Sequence, residues 1–220
     1  MPDLPAYRRA RSPTAKAERR AVLLDAARER LAGAELADVS VAQIARTAGL
    51  AKGTVYVYFR TREELFIGLL EDELDGWFGE LDRALATGAG RITAAALTDL
   101  LVPSLTNRPL LRRLLAVLGS VLEQNLDPDP ALRFKWRLAG RMTATGSLLE
   151  KRCVFLRPGD GVRVLQQLQA LAVGLQVQAE PAPAVRGLLG APGLEPLRVE
   201  FDREFRAATR ALLTGLERTN

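Results

Sequence analysis

Residues 40–62 read SVAQIARTAGLAKGTVYVYFRTR, and this stretch predicts two short helices joined by a tight turn. Ser40 is a favourable N-cap, and Gln43 three residues later completes a capping box. Gly49 stands where the end of a helix favours a residue that tolerates a left-handed backbone. A second helix is expected over residues 52–59. Two short helices joined in this way can place the second in the major groove of DNA, so the pattern favours a helix-turn-helix.

The exposed positions of the second helix carry side chains suited to reading DNA. They are Lys52, Gly53, Thr54, Tyr56 and Tyr58, which offer hydrogen-bond donors, aromatic hydroxyls and a glycine that permits close approach. An alternative interpretation is a helical hairpin inside an ordinary all-α protein, in which the two tyrosines are half-buried packing residues. The motif alone leaves both interpretations open.

The distribution of charge favours the DNA-binding interpretation. Residues 1–62 carry twelve lysines and arginines against six acidic residues, whereas the rest of the chain carries nineteen against twenty. A basic excess in the segment that holds the motif is typical of a phosphate-binding module. The alternatives are a basic surface without a partner and attraction to anionic lipid, but no helix here pairs a broad apolar face with a basic one.

Residues 1–13 predict a flexible basic arm. Early prolines and a polar makeup argue against a packed element, and Arg8, Arg9 and Arg11 concentrate positive charge there. Such an arm can follow the DNA backbone or enter a narrow minor groove, which attracts arginine. A tail that only aids solubility is the alternative.

The run LAKGTVYVYFRTREELF at residues 50–66 resembles the DNA-binding domain of the tetracycline-repressor (TetR) family of bacterial regulators. The resemblance implies an all-α fold with an N-terminal three-helix helix-turn-helix domain at residues 14–60. It also implies a larger C-terminal helical bundle domain at residues 61–220, which binds a ligand and dimerises. The DNA contacts that it implies are phosphate contacts from Ser40, Tyr56, Tyr58 and Arg62, with Lys52, Gly53 and Thr54 near base edges and phosphate.

Composition argues against enzymes and metalloproteins. The chain has no histidine and one cysteine, Cys153, so neither a histidine-based triad nor a histidine or thiolate metal site can be built. We therefore expect no enzymatic activity, no metal and no cofactor. The absence of a long apolar run and of a signal-peptide core predicts a cytoplasmic protein without a membrane partner. Cys153 is expected to be a small buried hydrophobe.

Residues 61–220 read as helices throughout, and two late helices carry apolar residues outside their main stripe. One helix covers residues 163–178, and the other ends the chain. A second apolar surface on both favours a four-helix bundle formed across a two-fold axis. Apolar stripes at helix spacing are usually core, which is the alternative for part of each face. The expected interface residues are Leu168, Leu171, Leu175, Phe205, Leu212, Leu213 and Leu216.

The middle helices supply candidates for a ligand cavity. The apolar candidates are Trp77, Phe78, Leu101, Leu105, Leu118, Leu122, Phe134, Trp136, Met142 and Phe155, and the polar ones are Gln124, Asn125, Thr143 and Gln169. Each of these residues equally suits an ordinary core position. The family resemblance favours a pocket without identifying its ligand.

Together these features predict a ligand-responsive, DNA-binding transcriptional regulator. It would be a repressor that binds an inverted-repeat operator in double-stranded DNA as a homodimer and is released by a small-molecule effector. Two alternatives come from other classes. One is a helical protein-interaction module whose basic residues serve solubility, and the other is an architectural DNA-binding protein without an effector.

Overall fold

The structure is a computed structural model that describes residues 13–87 and 90–219, except for the side chains of Asn125 and Pro183. Within these ranges it contains ten α-helices and no strand, which confirms the all-α prediction. Residues 1–12 of the predicted basic arm lie outside the described residues, and Pro13 is the first residue of a helix. None of the described helices combines the length and apolar character that crossing a membrane requires.

The helices follow one another in the order α1 Pro13–Ala32, α2 Val41–Thr47, α3 Lys52–Val55, α4 Arg62–Thr87, α5 Ala94–Thr106, α6 Pro109–Val117, α7 Pro128–Arg152, α8 Asp160–Ala179, α9 Pro183–Arg186 and α10 Phe201–Thr219. Turns of 3₁₀-helix cover Leu36–Asp38, Glu123–Asn125, Leu188–Gly190 and Glu195–Leu197, and a π-helical turn covers Leu118–Leu122. The chain divides into two compact units between Leu69 and Leu70. This division falls inside α4, whereas the sequence interpretation drew the domain boundary just before that helix.

In the N-terminal unit, α1 packs on α2 and α2 packs on α3. The predicted capping box at Ser40 is confirmed, because its Oγ accepts from the backbone N–H of Gln43 at 3.3 Å. In return, the Gln43 side chain accepts from the backbone N–H of Ser40 at 2.7 Å. Gly49 has a φ of +65°, which is the left-handed conformation expected at the end of α2.

Helix α3 has four residues and is shorter than the helix predicted over residues 52–59. Beyond Val55 the chain continues as a tighter turn, in which the backbone N–H of Tyr58 donates to the Val55 carbonyl at 2.9 Å. Val55 and Phe59 are nevertheless buried, as the pattern predicted for the inner side of this segment. Two buried anchors hold the turn between them against the rest of the unit.

In the C-terminal unit, α8 packs against α6, α7 and α10, and α10 also packs on α5. The backbones of α7 and α8 touch where Gly146 meets Gly161. A Cβ added at Gly161 would lie 2.6 Å from the carbonyl carbon of Gly146 and 2.8 Å from its Cα. Glu150 fixes the connection, because its Oε1 accepts from the backbone N–H groups of Gly159 and Gly161 at 2.8 and 2.9 Å.

Charged side chains join α4 to α7 in what we call the α4–α7 ladder. Arg137 lies 2.9 Å from Asp75 and 3.7 Å from Glu71. Arg141 lies 3.2 Å from Asp82 and 3.7 Å from Asp75. The Thr145 hydroxyl donates to Asp82 at 2.6 Å. The ladder thus comprises Glu71, Asp75 and Asp82 on α4 and Arg137, Arg141 and Thr145 on α7.

Candidate DNA-binding surface, association face and ligand crevice

The side chains predicted to contact DNA lie at the surface of the N-terminal unit. Ser40, Lys52 and Gly53 are exposed, Tyr56 is 45 % exposed, and Thr54, Tyr58 and Arg62 are half-buried. A Cβ at Gly53 would meet no atom within 4 Å, so the backbone there is open to close approach by another molecule. The contact of these residues with DNA stays a prediction.

Local packing determines which side chains of this surface face outward. Val55 and Phe59 are buried in the core, and the Arg20 guanidinium lies 5.2 Å from the centre of the Phe59 ring. Anchoring the segment at these two positions leaves Tyr56 and its neighbours on the outer side. Packing of these two side chains thus fixes the orientation of the segment within the unit.

Arg62 is already engaged by neighbours within its own unit. Its Nε lies 3.2 Å from Oε1 of Glu63, its Nη1 donates to the Ala37 carbonyl at 3.3 Å, and its guanidinium lies 5.7 Å from the centre of the Phe66 ring. These contacts hold the cation at the N-terminus of α4, where backbone N–H groups also favour an anion. A phosphate at this site would compete with the Glu63 carboxylate.

Two exposed residues of this surface were missed by the sequence interpretation. Val57 lies between the two tyrosines and is 75 % exposed, and Arg46 on α2 is also exposed. An exposed β-branched residue inside an otherwise buried apolar pattern was the available signal for Val57. Its methyl groups suit contact with the methyl group of thymine, and Arg46 suits a phosphate or a guanine.

The late helices place some predicted interface residues in the core. Leu168, Phe205 and Leu213 are fully buried within one protomer, so they cannot form an association surface, and for them the core interpretation is correct. Leu171, Leu175, Leu212 and Leu216 are half-buried. The exposed positions include Ala170, Gly174 and Val177 on α8 and Ala207, Ala211 and Gly215 on α10, and on α10 these small residues alternate with the exposed arginines Arg203, Arg206 and Arg210.

A narrow apolar crevice lies among the middle helices of the C-terminal unit. It leaves about 10 Å³ for a water-sized sphere, which is room for a single water molecule. Five of the predicted pocket residues line it, and Leu74, Leu115, Leu138 and Leu165 were missed because leucine at helix spacing carries no signal beyond core. The wall consists of Leu74, Trp77, Phe78, Leu105, Leu115, Leu138, Met142, Leu165 and Gln169.

The other predicted pocket residues do not line this crevice. Leu101, Leu118, Leu122 and Phe155 are buried elsewhere, and Phe134 lines a neighbouring cleft with the charged side chains of the α4–α7 ladder. Trp136 is 72 % exposed, because it follows buried Phe134 by two residues and so points away from it on α7. Gln124 and Thr143 are exposed, and the side chain of Asn125 is not described.

Solved structures share this fold. FadR from Bacillus subtilis in complex with stearoyl-CoA is 18 % identical over 89 % of this chain and 96 % of its own, with a TM-score of 0.51. The repressor AlkX from Dietzia sp., implicated in the biodegradation of n-alkanes, is 16 % identical over 96 % and 98 %, with a TM-score of 0.55. A TetR regulator from Rhodococcus sp. is 22 % identical over 90 % and 98 %, with a TM-score of 0.53.

Two family models match the chain on either side of the division within α4. Residues 23–69 match the bacterial regulatory proteins of the tetR family, and residues 71–220 match the tetracyclin repressor-like C-terminal domain. The second match alone covers more than half of the chain. The resemblance drawn from residues 50–66 is therefore confirmed, and this chain belongs to the TetR family of ligand-responsive, DNA-binding transcriptional regulators.

Proposed function

We propose that this protein is a repressor that binds an inverted-repeat operator as a homodimer and leaves it when a small-molecule effector occupies the crevice. The observation that carries the proposal is the α2–α3 pair. A capped α2 and a left-handed turn at Gly49 lead into a short α3, which leaves Lys52 and Tyr56 exposed and Thr54 half-exposed around its accessible side. This is the geometry that inserts a second helix into the major groove.

On the operator, different residues make the phosphate contacts and the base contacts. The hydroxyls of Tyr56 and Tyr58 and the cation of Arg62 hold phosphates, which fixes the position of the protein without reading sequence. Lys52 reaches a guanine edge, and the methyl groups of Thr54 and Val57 contact thymine. Few of these side chains can make two hydrogen bonds to one base, so each half-site contributes modest discrimination.

A homodimer follows from that modest discrimination, because one short reading helix contacts too few bases to select a site in a genome. The outward faces of α8 and α10 support association. Ala170, Gly174, Ala207, Ala211 and Gly215 are small and exposed, so helices of a second protomer can approach them closely. Packing four helices in this way buries Val177, which is 55 % exposed in one protomer.

The crevice can respond to an effector through α4. Leu74, Trp77 and Phe78 of its wall belong to this helix, which begins at Arg62, directly after the reading segment. Since the crevice has room for one water, a larger ligand must displace part of its wall. A conformer with α4 displaced would bind the effector better and DNA worse, by a coupling of about 1–3 kcal/mol.

The test is a footprint of the purified protein on the DNA upstream of its own gene, with and without excess random DNA. We expect protection of two half-sites of an inverted repeat that survives the competitor. If random DNA competes with the upstream DNA on equal terms and abolishes the footprint, the protein is better described as architectural. If it binds no DNA at all, it is better described as a protein-interaction module. Either result contradicts the proposal.

A further inference from the structure

One polar side chain stands out in the wall of the crevice. Gln169 on α8 carries the only amide among the lining residues, and the others are apolar or aromatic. The Trp77 indole N–H already donates to the Ser104 hydroxyl at 2.9 Å. In the part of the chain that the structure describes, the Gln169 amide forms no hydrogen bond with another residue. The amide of this lining residue therefore keeps one donor group and one acceptor group without a partner in the described chain.

None of the side chains that line the crevice carries a charge. Leu74, Phe78 and Leu138 line both the crevice and the neighbouring cleft, so they stand between the crevice and the α4–α7 ladder. Within the ladder, Arg137 and Arg141 are paired with carboxylates of α4. An ionised group inside the crevice would thus lose its water without gaining a partner, which is costly.

We infer that the effector is an uncharged molecule with an apolar body and one hydroxyl or carbonyl group, which the Gln169 amide recognises. The inference rests on the proposed function, which places the effector in this crevice. The apolar body takes the space between α4 and α7, where Met142 is the most adaptable part of the wall because its side chain is unbranched and flexible. Gln169 supplies orientation and specificity.

The protein itself provides a reporter of binding. Its two tryptophans are Trp77 in the crevice wall and Trp136, which is 72 % exposed on α7. Replacing the second one (Trp136→Phe) leaves Trp77 as the single tryptophan, so a fluorescence change reports on the crevice. Titrations of the full chain at pH 7 without DNA would use three probes with the same apolar body, 1-octanol, octanoate and octylammonium.

We expect 1-octanol to bind at least about ten-fold more tightly than either charged probe, because removing a charged head group from water without a partner costs much more free energy than removing a hydroxyl group. Gln169→Leu should weaken 1-octanol by about 3- to 10-fold, the value of one hydrogen bond. Gln124→Leu is the matched control, since Gln124 is exposed, and it should change nothing. Gln169→Glu should make octylammonium bind better than octanoate, a reversal that a merely structural role would not produce.

The inference fails if 1-octanol gives no response, if a charged probe binds the unmodified wall as tightly, or if Gln169→Leu and Gln124→Leu behave alike. Thermal unfolding of each variant identifies loss of fold. If Gln169→Leu does not fold, the preference of Gln169→Glu for octylammonium over octanoate tests the inference instead. These titrations contain no DNA. A failed footprint with intact octanol binding would overturn the proposed function, whereas an intact footprint with failed titrations would overturn only the effector class.

Discussion

Arg112 on α6 donates from its Nε to Oε1 of Gln176 on α8 at 3.0 Å, although both side chains are buried. Its Nη1 also donates to the Thr106 carbonyl at 2.8 Å, and its guanidinium lies 3.9 Å from the centre of the Phe201 ring. Burial lowers the pKa of Arg112, and the charge of Asp202 opposes that shift. One cation therefore connects α6 with the end of α5, with α8 and with α10.

Replacing this cation (Arg112→Met) should lower the free energy of unfolding by about 2–4 kcal/mol, because Gln176 and the α5 carbonyls lose their buried donor. Urea denaturation followed by circular dichroism measures the change. Arg83→Ala, at an exposed arginine of α4, is the control and should cost less than about 0.5 kcal/mol. Equal losses from the two variants would contradict the connecting role of Arg112.

The contact between α7 and α8 predicts an asymmetric response to alanine. Gly161→Ala should destabilise the protein by about 1–3 kcal/mol, since the added methyl group overlaps the Gly146 backbone and forces the helices apart. Gly140→Ala on α7 meets no atom within 4 Å and should instead stabilise by up to about 1 kcal/mol. Thermal melts of both variants against the parent decide this. Similar melting temperatures for the two would refute it.

The helix-turn-helix could be predicted because its signals are local in sequence. The side chains of Ser40 and Gln43 bond within one turn, and the backbone preference of Gly49 is its own property. The length of α3 could not be predicted in the same way. Burial of Phe59 holds the segment in a tighter turn after Val55, and that contact depends on the rest of the unit.

The crevice and the outward faces of α8 and α10 were harder to predict because both depend on how whole helices are rotated. Trp136 was expected inside on the strength of its aromatic side chain, yet neighbouring Phe134 takes the buried side of α7. Leu168 and Leu213 fill the core of their own protomer, and the exposed positions of α8 and α10 carry small residues among charged ones. Hydrophobic periodicity identifies an amphipathic helix. It does not determine whether an apolar residue packs in the core of its own protomer or against a second protomer.

Substitutions on the reading surface should separate phosphate contacts from base contacts. Arg62→Ala should weaken all DNA and reduce the slope of log K against log salt concentration by about 0.9. Lys52→Ala should instead change the preference among operator variants by about 1–3 kcal/mol at one position. Fluorescence anisotropy at several salt concentrations measures both. An unchanged slope would remove Arg62 from the interface, and uniform weakening would confine Lys52 to the backbone.

The proposed association through the outward faces of α8 and α10 predicts different outcomes for two similarly exposed valines. Val177→Asp on α8 should shift the protein towards monomer, because the interface would bury an unpaired carboxylate. Val154→Asp, between α7 and α8, should leave the dimer intact, since Val154 is 59 % exposed and lies outside both late helices. Sedimentation velocity over a range of concentrations distinguishes these cases. A dimer that persists in the first variant would place the interface elsewhere.

Cys153 predicts a loss of stability at alkaline pH. The predicted burial of this residue is confirmed, and burial raises the pKa of its thiol to about 11. The unfolded chain loses the proton near its ordinary pKa of about 8.5, so deprotonation favours unfolding between that pH and 11. The parent should therefore lose about 1–2 kcal/mol more than Cys153→Ala between pH 8 and pH 10 in urea denaturation. Parallel pH profiles would refute this.

The carboxylates of the α4–α7 ladder are unevenly spaced along α4, and this spacing matches the arginines of α7 in one register. The first two carboxylates are one helical turn apart, while the third is two turns further on, because Gly79 takes the position between. If α4 slid by one turn in one direction, Arg141 would face Gly79 and Ala86 and lose both of its carboxylates. The ladder therefore favours one register of α4 against α7. In the proposed mechanism, a displacement of α4 that keeps these ion pairs would be a tilt rather than a slide by one helical turn.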